Sequence, residues 1–382
     1  IADGDWSSDV CSSDLIEKKL LLYRRNTGTV SIWHGADIDL RGKVEEAKRR
    51  LRFSFELVGF LEEYSPAPHW RPIEYNAEYS LQRYFLGRFM PVSELVKRDG
   101  PSPDIELLKT GDDGLLLHLV PDTEEELENF DAFRNHAVLE DDRIALLVPQ
   151  SAPDVFETAL EVRAVHDLLG DSALAAEDPL VVPELRQMLD DAQGYLTRIL
   201  NKMYMPHEHQ GCALIHRTGE YYPSTQREFR TLLSDIAREL YPRTPILNNE
   251  LVVRKRPRPN IVNSRKKLVL AILERAGSSD LGLEGYTADV SMFHTLLLNT
   301  GLYRQGEEGH WSFAKPEELE DSNLAEVWSR FRDFLTEPAQ SAKSFRQFFD
   351  ELKSPPFGLR AGVVPILVAA ALRAFPSARS IS

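Results

Sequence analysis

Apolar residues recur at spacings of three and four at Val44, Ala47, Leu51, Phe55, Val58 and Leu61, which predicts an amphipathic helix over residues 40–63. Asp39 stands where an N-cap belongs, and Pro66 and Pro68 stop the pattern. Ahead of this helix, residues 29–33 alternate with a period of two and predict a strand that ends in a loop. Two short strands are expected over residues 70–75 and 81–90. The next signals differ in kind: Leu115 to Val120 and Ile144 to Val148 are unbroken apolar runs, which suit strands covered on both faces. An acidic helix start, Thr123-Glu124-Glu125-Glu126, lies between them, so the order strand, helix, strand predicts a parallel crossover.

Helices follow over residues 155–169, with Asp154 as cap, and over 183–202. Residues 212–216 and 220–222 flank Thr218-Gly219 and read as a hairpin, followed by a helix over 226–240. Further helices are expected over 264–276 and 287–299. A hairpin of residues 302–304 and 311–313 comes next, around a tip containing Gly306 and Gly309. Two helices and a glycine-tipped hairpin form a winged-helix-like order. Helical signals then return over 324–335 and 344–352, Pro355-Pro356-Phe357-Gly358 breaks them, and an apolar helix covers 363–375. The fold class that follows is an α/β N-terminal domain succeeded by mainly helical, winged-helix-like modules. The expected divisions are an α/β domain over 16–170, a helical connector with hairpin over 171–240, a winged-helix-like domain over 241–318 and a helical module over 319–382.

Composition bounds this picture without sharpening it. The 382 residues are 42% hydrophobic and 27% charged, enough for two or three domains with cores of their own, and unlike collagen, a coiled coil or a disordered chain. Residues 5–15 read Asp-Trp-Ser-Ser-Asp-Val-Cys-Ser-Ser-Asp-Leu, which matches the translation of a common short-read sequencing adapter and has no helical or strand period. Residues 1–15 are therefore expected to be foreign to the fold, and the frame from Ile16 is expected to open inside a longer protein, with a truncated C-terminus as well. With Cys11 set aside, Cys212 is the remaining cysteine and cannot form an internal disulfide, which fits a reducing cytoplasm. The longest apolar stretch, residues 361–375, is interrupted by Pro365 and Arg373 and is too short to span a bilayer, so no membrane association is expected.

The charge distribution does change the picture. Against 60 acidic and 45 basic side chains overall, residues 241–282 hold nine basic and three acidic ones. Arg254, Lys255, Arg256 and Arg258 precede a helix that contains Arg265, Lys266 and Lys267, and this set is the candidate nucleic-acid contact, able to neutralise several phosphates. Its bland counterpart is a solvated loop, or cations that pair with the chain's own acids. No glycine-rich phosphate-binding motif of either common kind occurs, so the chain is not expected to bind a nucleotide or any other cofactor by itself. His207, His209, Cys212 and His216 are zinc-type ligands within ten residues, but their spacing matches no paired knuckle, and no metal is assigned. Asp37 and Asp39 suit a hard cation in principle, while capping the next helix is the ordinary role of Asp39. No serine or cysteine has a recognisable elbow or partner, so no catalytic residue is assigned.

Several segments in order resemble large P-loop ATPases of bacterial anti-phage defence islands, the BREX-type ATPase group. They are Ile32-Trp33-His34-Gly35-Ala36-Asp37-Ile38-Asp39, Leu81-Gln82-Arg83-Tyr84-Phe85, Tyr241-Pro242-Arg243-Thr244-Pro245-Ile246-Leu247-Asn248-Asn249-Glu250-Leu251, Ser264-Arg265-Lys266-Lys267-Leu268, Gly282-Leu283-Glu284-Gly285-Tyr286, Thr300-Gly301-Leu302-Tyr303, Pro355-Pro356-Phe357-Gly358-Leu359 and Val364-Pro365-Ile366-Leu367. None is a catalytic signature. The resemblance implies a middle or C-terminal portion of such an ATPase, with ATP and magnesium handled by a part of the parent outside this chain. The implied role is a non-catalytic platform for double-stranded DNA or for other subunits of the defence system. The alternative is a stand-alone winged-helix DNA-binding regulator with an α/β sensor domain.

Overall fold

The computed structural model describes residues 21–375 except 25–27, 33–37, 98–112, 129, 207–210, 254–257, 307–308 and 337–343. Strands β1 (Leu21–Arg24) and β2 (Thr29–Ile32) form an antiparallel hairpin of their own. Asp39 then caps helix α1 (Leu40–Leu51) by accepting the Gly42 amide at 3.2 Å, the expected role. The helix expected over 40–63 is two helices, however. α1 ends in a turn where the amide and hydroxyl of Ser54 both donate to the Leu51 carbonyl, and α2 (Leu57–Tyr64) restarts in a new direction. The break leaves Phe53 at the surface and lets Phe55 pack against Phe60 and Phe156.

The strand expected at 70–75 is likewise replaced. Only Trp70 makes a bridge, to Phe85, and Pro72 leads into helix α3 (Ile73–Glu78). Asn76 explains the choice: its side-chain amide both donates to the Arg83 carbonyl and accepts the Arg83 amide, closing residues 76–83 into a loop that a strand could not make. Strand β3 (Phe85–Pro91) therefore starts late, and leads directly into α4 (Val92–Lys97).

The centre of the molecule is a mixed five-stranded sheet, so the fold is α/β as expected. β3 runs parallel to β4 (Gly114–Val120), and β4 parallel to β5 (Ile144–Pro149); short helices α5 (Glu125–Glu128) and α6 (Phe130–Arg134) make the β4–β5 crossover. Every residue of β4 and β5 is buried, which is why their sequences read as apolar runs instead of alternating. After β5 come α7 (Val155–Leu169), capped by Asp154 through the Glu157 amide, α8 (Ser172–Glu177) and α9 (Val181–Tyr204). The hairpin β6 (Cys212–His216) and β7 (Gly219–Tyr221) pairs antiparallel with β5 and completes the order β3-β4-β5-β6-β7. Helix α10 (Gln226–Leu240) joins α2, α7 and α9 on one face, whose core includes Leu116, Leu147, Leu196, Leu214 and Phe229. The opposite face packs Leu115, Leu117 and Leu146 against Leu95 of α4 and Phe133 of α6.

A second core is built from the remaining helices. α11 (Pro259–Arg275) packs against α12 (Ala288–Phe293), which runs on as a π-helical turn over His294–Leu298, and against the C-terminal helix. The hairpin β8 (Tyr303–Gln305) and β9 (Trp311–Phe313) follows, then α13 (Ser322–Thr336), α14 (Phe345–Lys353) and α15 (Val364–Ala374). The Tyr303 hydroxyl donates to the Ser278 carbonyl, and the Trp328 indole donates to the Ala314 carbonyl, so both strands are tied down at the base of the hairpin.

The two cores meet at one buried polar network. Asp113, at the mouth of β4, accepts Arg83 Nη1 at 2.8 Å, Arg360 Nη1 at 2.8 Å, Arg360 Nη2 at 3.1 Å and the Tyr84 amide at 3.1 Å. These residues are almost wholly sealed, at 1% exposed for Arg83, 4% for Asp113 and 6% for Arg360. Arg83 also donates to the Thr244 hydroxyl and the Gly358 carbonyl, and its guanidinium lies 3.6 Å from the Tyr241 ring centre. Thr244 in turn accepts from Tyr75 and donates to the Phe357 carbonyl. Gly358 is required here: its φ is +58°, and a Cβ would stand 2.2 Å from Arg83 Nη2.

Burial alone would raise the Asp113 carboxyl, but the guanidinium groups of Arg360 and Arg83 outweigh it and hold the carboxyl below its ordinary range. The network's stability is therefore complete above the unfolded carboxyl value and is lost as pH falls through the lower folded value. Asp113→Asn should cost about 3–5 kcal/mol at neutral pH, because it leaves two guanidinium groups buried without a countercharge. The cost should shrink towards acid pH, measured by denaturant unfolding across the pH range.

Candidate functional site

Of the seven basic residues singled out by sequence, Arg254, Lys255 and Arg256 lie outside the described residues. The other four are on or beside α11. This helix begins at Pro259, earlier than the expected 264, because proline at the first position loses no hydrogen bond and brings a helical φ. The Arg258 carbonyl accepts the amides of Ile261 and Val262 to start the first turn. Ile261, Leu268, Ala271 and Ile272 form the buried stripe, which turns Lys266 and Lys267 to solvent.

The four described cations do not act together. Arg258, Lys266 and Lys267 are exposed, and no ion pair joins them to an acid among the described residues, although the chain is acidic overall. Arg265 is half-buried and donates to the Gly362 carbonyl at 3.2 Å, and burial lowers its pKa. It fastens α11 to the loop before α15 and is structural. Arg258, at the N-cap, opposes the helix macrodipole, and the first turn carries no acid to offset it, while Lys266 and Lys267 lie at mid-helix beyond its reach.

The helix and hairpin after α11 carry less charge. α12 and its π-helical turn expose Ser291 and His294, and Asn299 follows, with no lysine or arginine among them. In the hairpin, Arg304 is paired with Glu318 at 2.8 Å, and the tip sequence includes Glu307 and Glu308, which lie outside the described residues. The cationic surface is therefore α11 itself.

The two described zinc-type residues, Cys212 and His216, do not come together on one ion. His207 and His209 lie outside the described residues. Cys212 and His216 sit four residues apart along β6, a separation of about 13 Å that no single ion can bridge. Each is also engaged: the Cys212 thiol donates to the Tyr204 carbonyl and burial pushes it up to about 12, while His216 contacts the Asp142 carbonyl and the Thr218 hydroxyl through its two ring nitrogens. Among the described residues no group of three metal-type ligands is found. A groove of about 660 Å³ runs between β7 and the start of α10. Its acids are committed, Glu220 to Arg134 and Tyr222, and Glu228 to the Ser224 amide.

Two features escaped the sequence pattern. One is the Arg83–Asp113–Arg360 network, whose only local signal is a pair of arginines and an aspartate beside apolar strands. The other is His118, fully buried in β4 against Phe89 and Tyr204. No protein-family model, curated protein or solved structure matches this chain.

Burial lowers the His118 pKa to about 4, so the imidazole is neutral in the fold at neutral pH. The unfolded chain takes up that proton near pH 6.5, so stability should fall as pH drops from 6.5 towards 4, by roughly 2–4 kcal/mol in total. His118→Phe should flatten that part of the profile, read from the thermal midpoint at successive pH values.

Proposed function

We propose that this chain is a non-catalytic portion of a larger anti-phage defence ATPase, and that it serves as a binding platform whose contact surface is the basic N-terminal half of α11. The observation that carries this reading is the exposure of Arg258, Lys266 and Lys267 without acidic partners among the described residues. In a chain with this excess of acid, exposed cations without acidic partners among the described residues are available to an external polyanion, and duplex DNA is the first candidate. Arg254, Lys255 and Arg256 extend the same run in sequence. The order α11, α12, β8, β9 supports a winged-helix-like reading of this part, with α11 rather than the hairpin meeting the phosphates. Other subunits of a defence system are the second class of partner, and ATP and magnesium belong to the parent's remaining portion. Among the described residues no helix is long and apolar enough to cross a membrane.

The buried network favours a second reading, a winged-helix regulator with an α/β sensor. Because Arg83 and Asp113 of the sheet region hold Gly358 and Arg360 of the helical region, a shift at the sheet would reach α11. Sequencing the source DNA upstream of Ile16 separates the two: a continuous frame with a phosphate-binding loop supports the ATPase, and a nearby start codon supports the regulator.

The platform itself is tested by fluorescence anisotropy on duplex DNA at two salt concentrations. Binding should weaken with salt and be indifferent to sequence. Replacing Arg258, Lys266 and Lys267 by Ser should lower the salt slope by roughly one per lost phosphate contact. The further replacement of Arg254, Lys255 and Arg256 should abolish binding, and unchanged affinity in the six-residue variant would overturn the reading.

A further inference from the structure

Phe53 is 96% exposed, an aromatic ring standing almost wholly in water just past the end of α1. Its display is fixed by the residues on either side. Before it, Arg52 pairs with Glu157 and lies over the Phe156 ring. After it, the Ser54 amide and hydroxyl both hold the Leu51 carbonyl, and Phe55 packs against Phe60 and Phe156. With its neighbours anchored, the ring is held away from the core. A single apolar side chain at a surface needs no explanation by itself, but the surroundings of this one supply one.

Those surroundings are cationic. Residues 41–53 hold six basic side chains against two acidic ones, Glu45 and Glu46. Lys48 and Arg52 are engaged by Glu45 and Glu157. Arg49 and Arg50 are exposed, and no ion pair joins either to an acid among the described residues; Arg49 Nε donates to the Glu45 carbonyl at 3.4 Å. They precede Phe53 by four and three residues, and Arg52 keeps the helical conformation with its amide on the Lys48 carbonyl. That spacing sets the two guanidinium groups and the ring on one side of the helix end, away from the buried stripe of Leu40, Val44 and Ala47. A basic last turn also suits the helix macrodipole, which accounts for the arginines and not for the ring. A flat ring beside two free guanidinium groups matches a phosphate chain that carries an unpaired base. A duplex keeps its base faces within the stack and would leave Phe53 unused, and a bilayer needs several apolar side chains where α1 has buried its own.

We propose that the end of α1 is a contact site for single-stranded nucleic acid. Phe53 stacks on an unpaired base, and Arg49 and Arg50 meet the phosphates beside it. The site sits on the helix that packs against α7, and it is independent of the cations of α11 and of any duplex they meet.

The test is fluorescence anisotropy of the full chain with labelled oligothymidylate and oligouridylate. DNA and RNA strands offer the same base faces and phosphates, and the tighter of the two identifies the natural source. Phe53→Ala should weaken single-strand binding by roughly 5- to 150-fold while leaving duplex binding unchanged. Phe53→Trp should restore it and add an emission change on saturation that the parent chain does not show. Replacing Arg49 and Arg50 together by Ser should lower the salt slope by roughly 0.7 per lost phosphate contact. All of these effects should persist when the six cations at α11 are replaced, which separates this site from the duplex platform. Full single-strand affinity in Phe53→Ala overturns the proposal. So does the absence of oligonucleotide binding by the parent chain, including the case in which anionic vesicles are bound through Phe53 instead.

Discussion

Asp113 holds Arg83, 30 residues away in sequence, and Arg360, 247 residues away, within hydrogen-bond distance of a single carboxylate. The position of both cores follows from that constraint. A sealed ion cluster tolerates little movement, because displacing any member strands the others in a medium that cannot solvate them. Thr244 reinforces it with a hydroxyl that is fully used, accepting from Tyr75 and Arg83 and donating to the Phe357 carbonyl. The glycine at 358 allows the approach, since any side chain there would occupy the space of the Arg83 guanidinium.

The loop of residues 357–362 is consequently the joint of the molecule. Its Phe357 and Gly358 carbonyls face Thr244 and Arg83, its Arg360 side chain reaches Asp113, and its Gly362 carbonyl accepts from Arg265 of α11. A Cβ at Gly362 would meet the Val252 carbonyl oxygen at 2.2 Å, so the loop is pressed against the segment that leads towards α11. The basic face of α11 is thus tied to the sheet through two arginine contacts at either end of one short loop. Anything that draws on Lys266 and Lys267 pulls against the same frame that Asp113 anchors.

Much of the layout was legible in the chain. The apolar runs at 115–120 and 144–148 become the two fully buried parallel strands, because a strand covered on both faces has no reason to alternate. Asp39 and Asp154 cap the helices they precede, and the hairpins at 212–221 and 303–313 form where their turn residues place them. Local chemistry decided these elements, so local reading found them. The break of the 40–63 helix and the replacement of the strand at 70–75 depended instead on bonds from Ser54 and Asn76, which a periodicity does not register.

Of the candidate surface, sequence determined the charge and tertiary structure determined its use. Arg265, Lys266 and Lys267 are neighbours in the chain, yet successive helical residues are turned by about 100°, so packing against the loop at Gly362 took Arg265 and left the two lysines to solvent. The same holds for the network. Nothing in the residues around Arg83, Asp113 or Arg360 names the others as partners, because an ion pair between distant segments exists only after the chain has brought them together and excluded water. The sequence by itself fixed the buried strands, the caps and the excess of positive charge near α11. Which charges were sealed and which were left free was decided by close approach, a property of the folded whole.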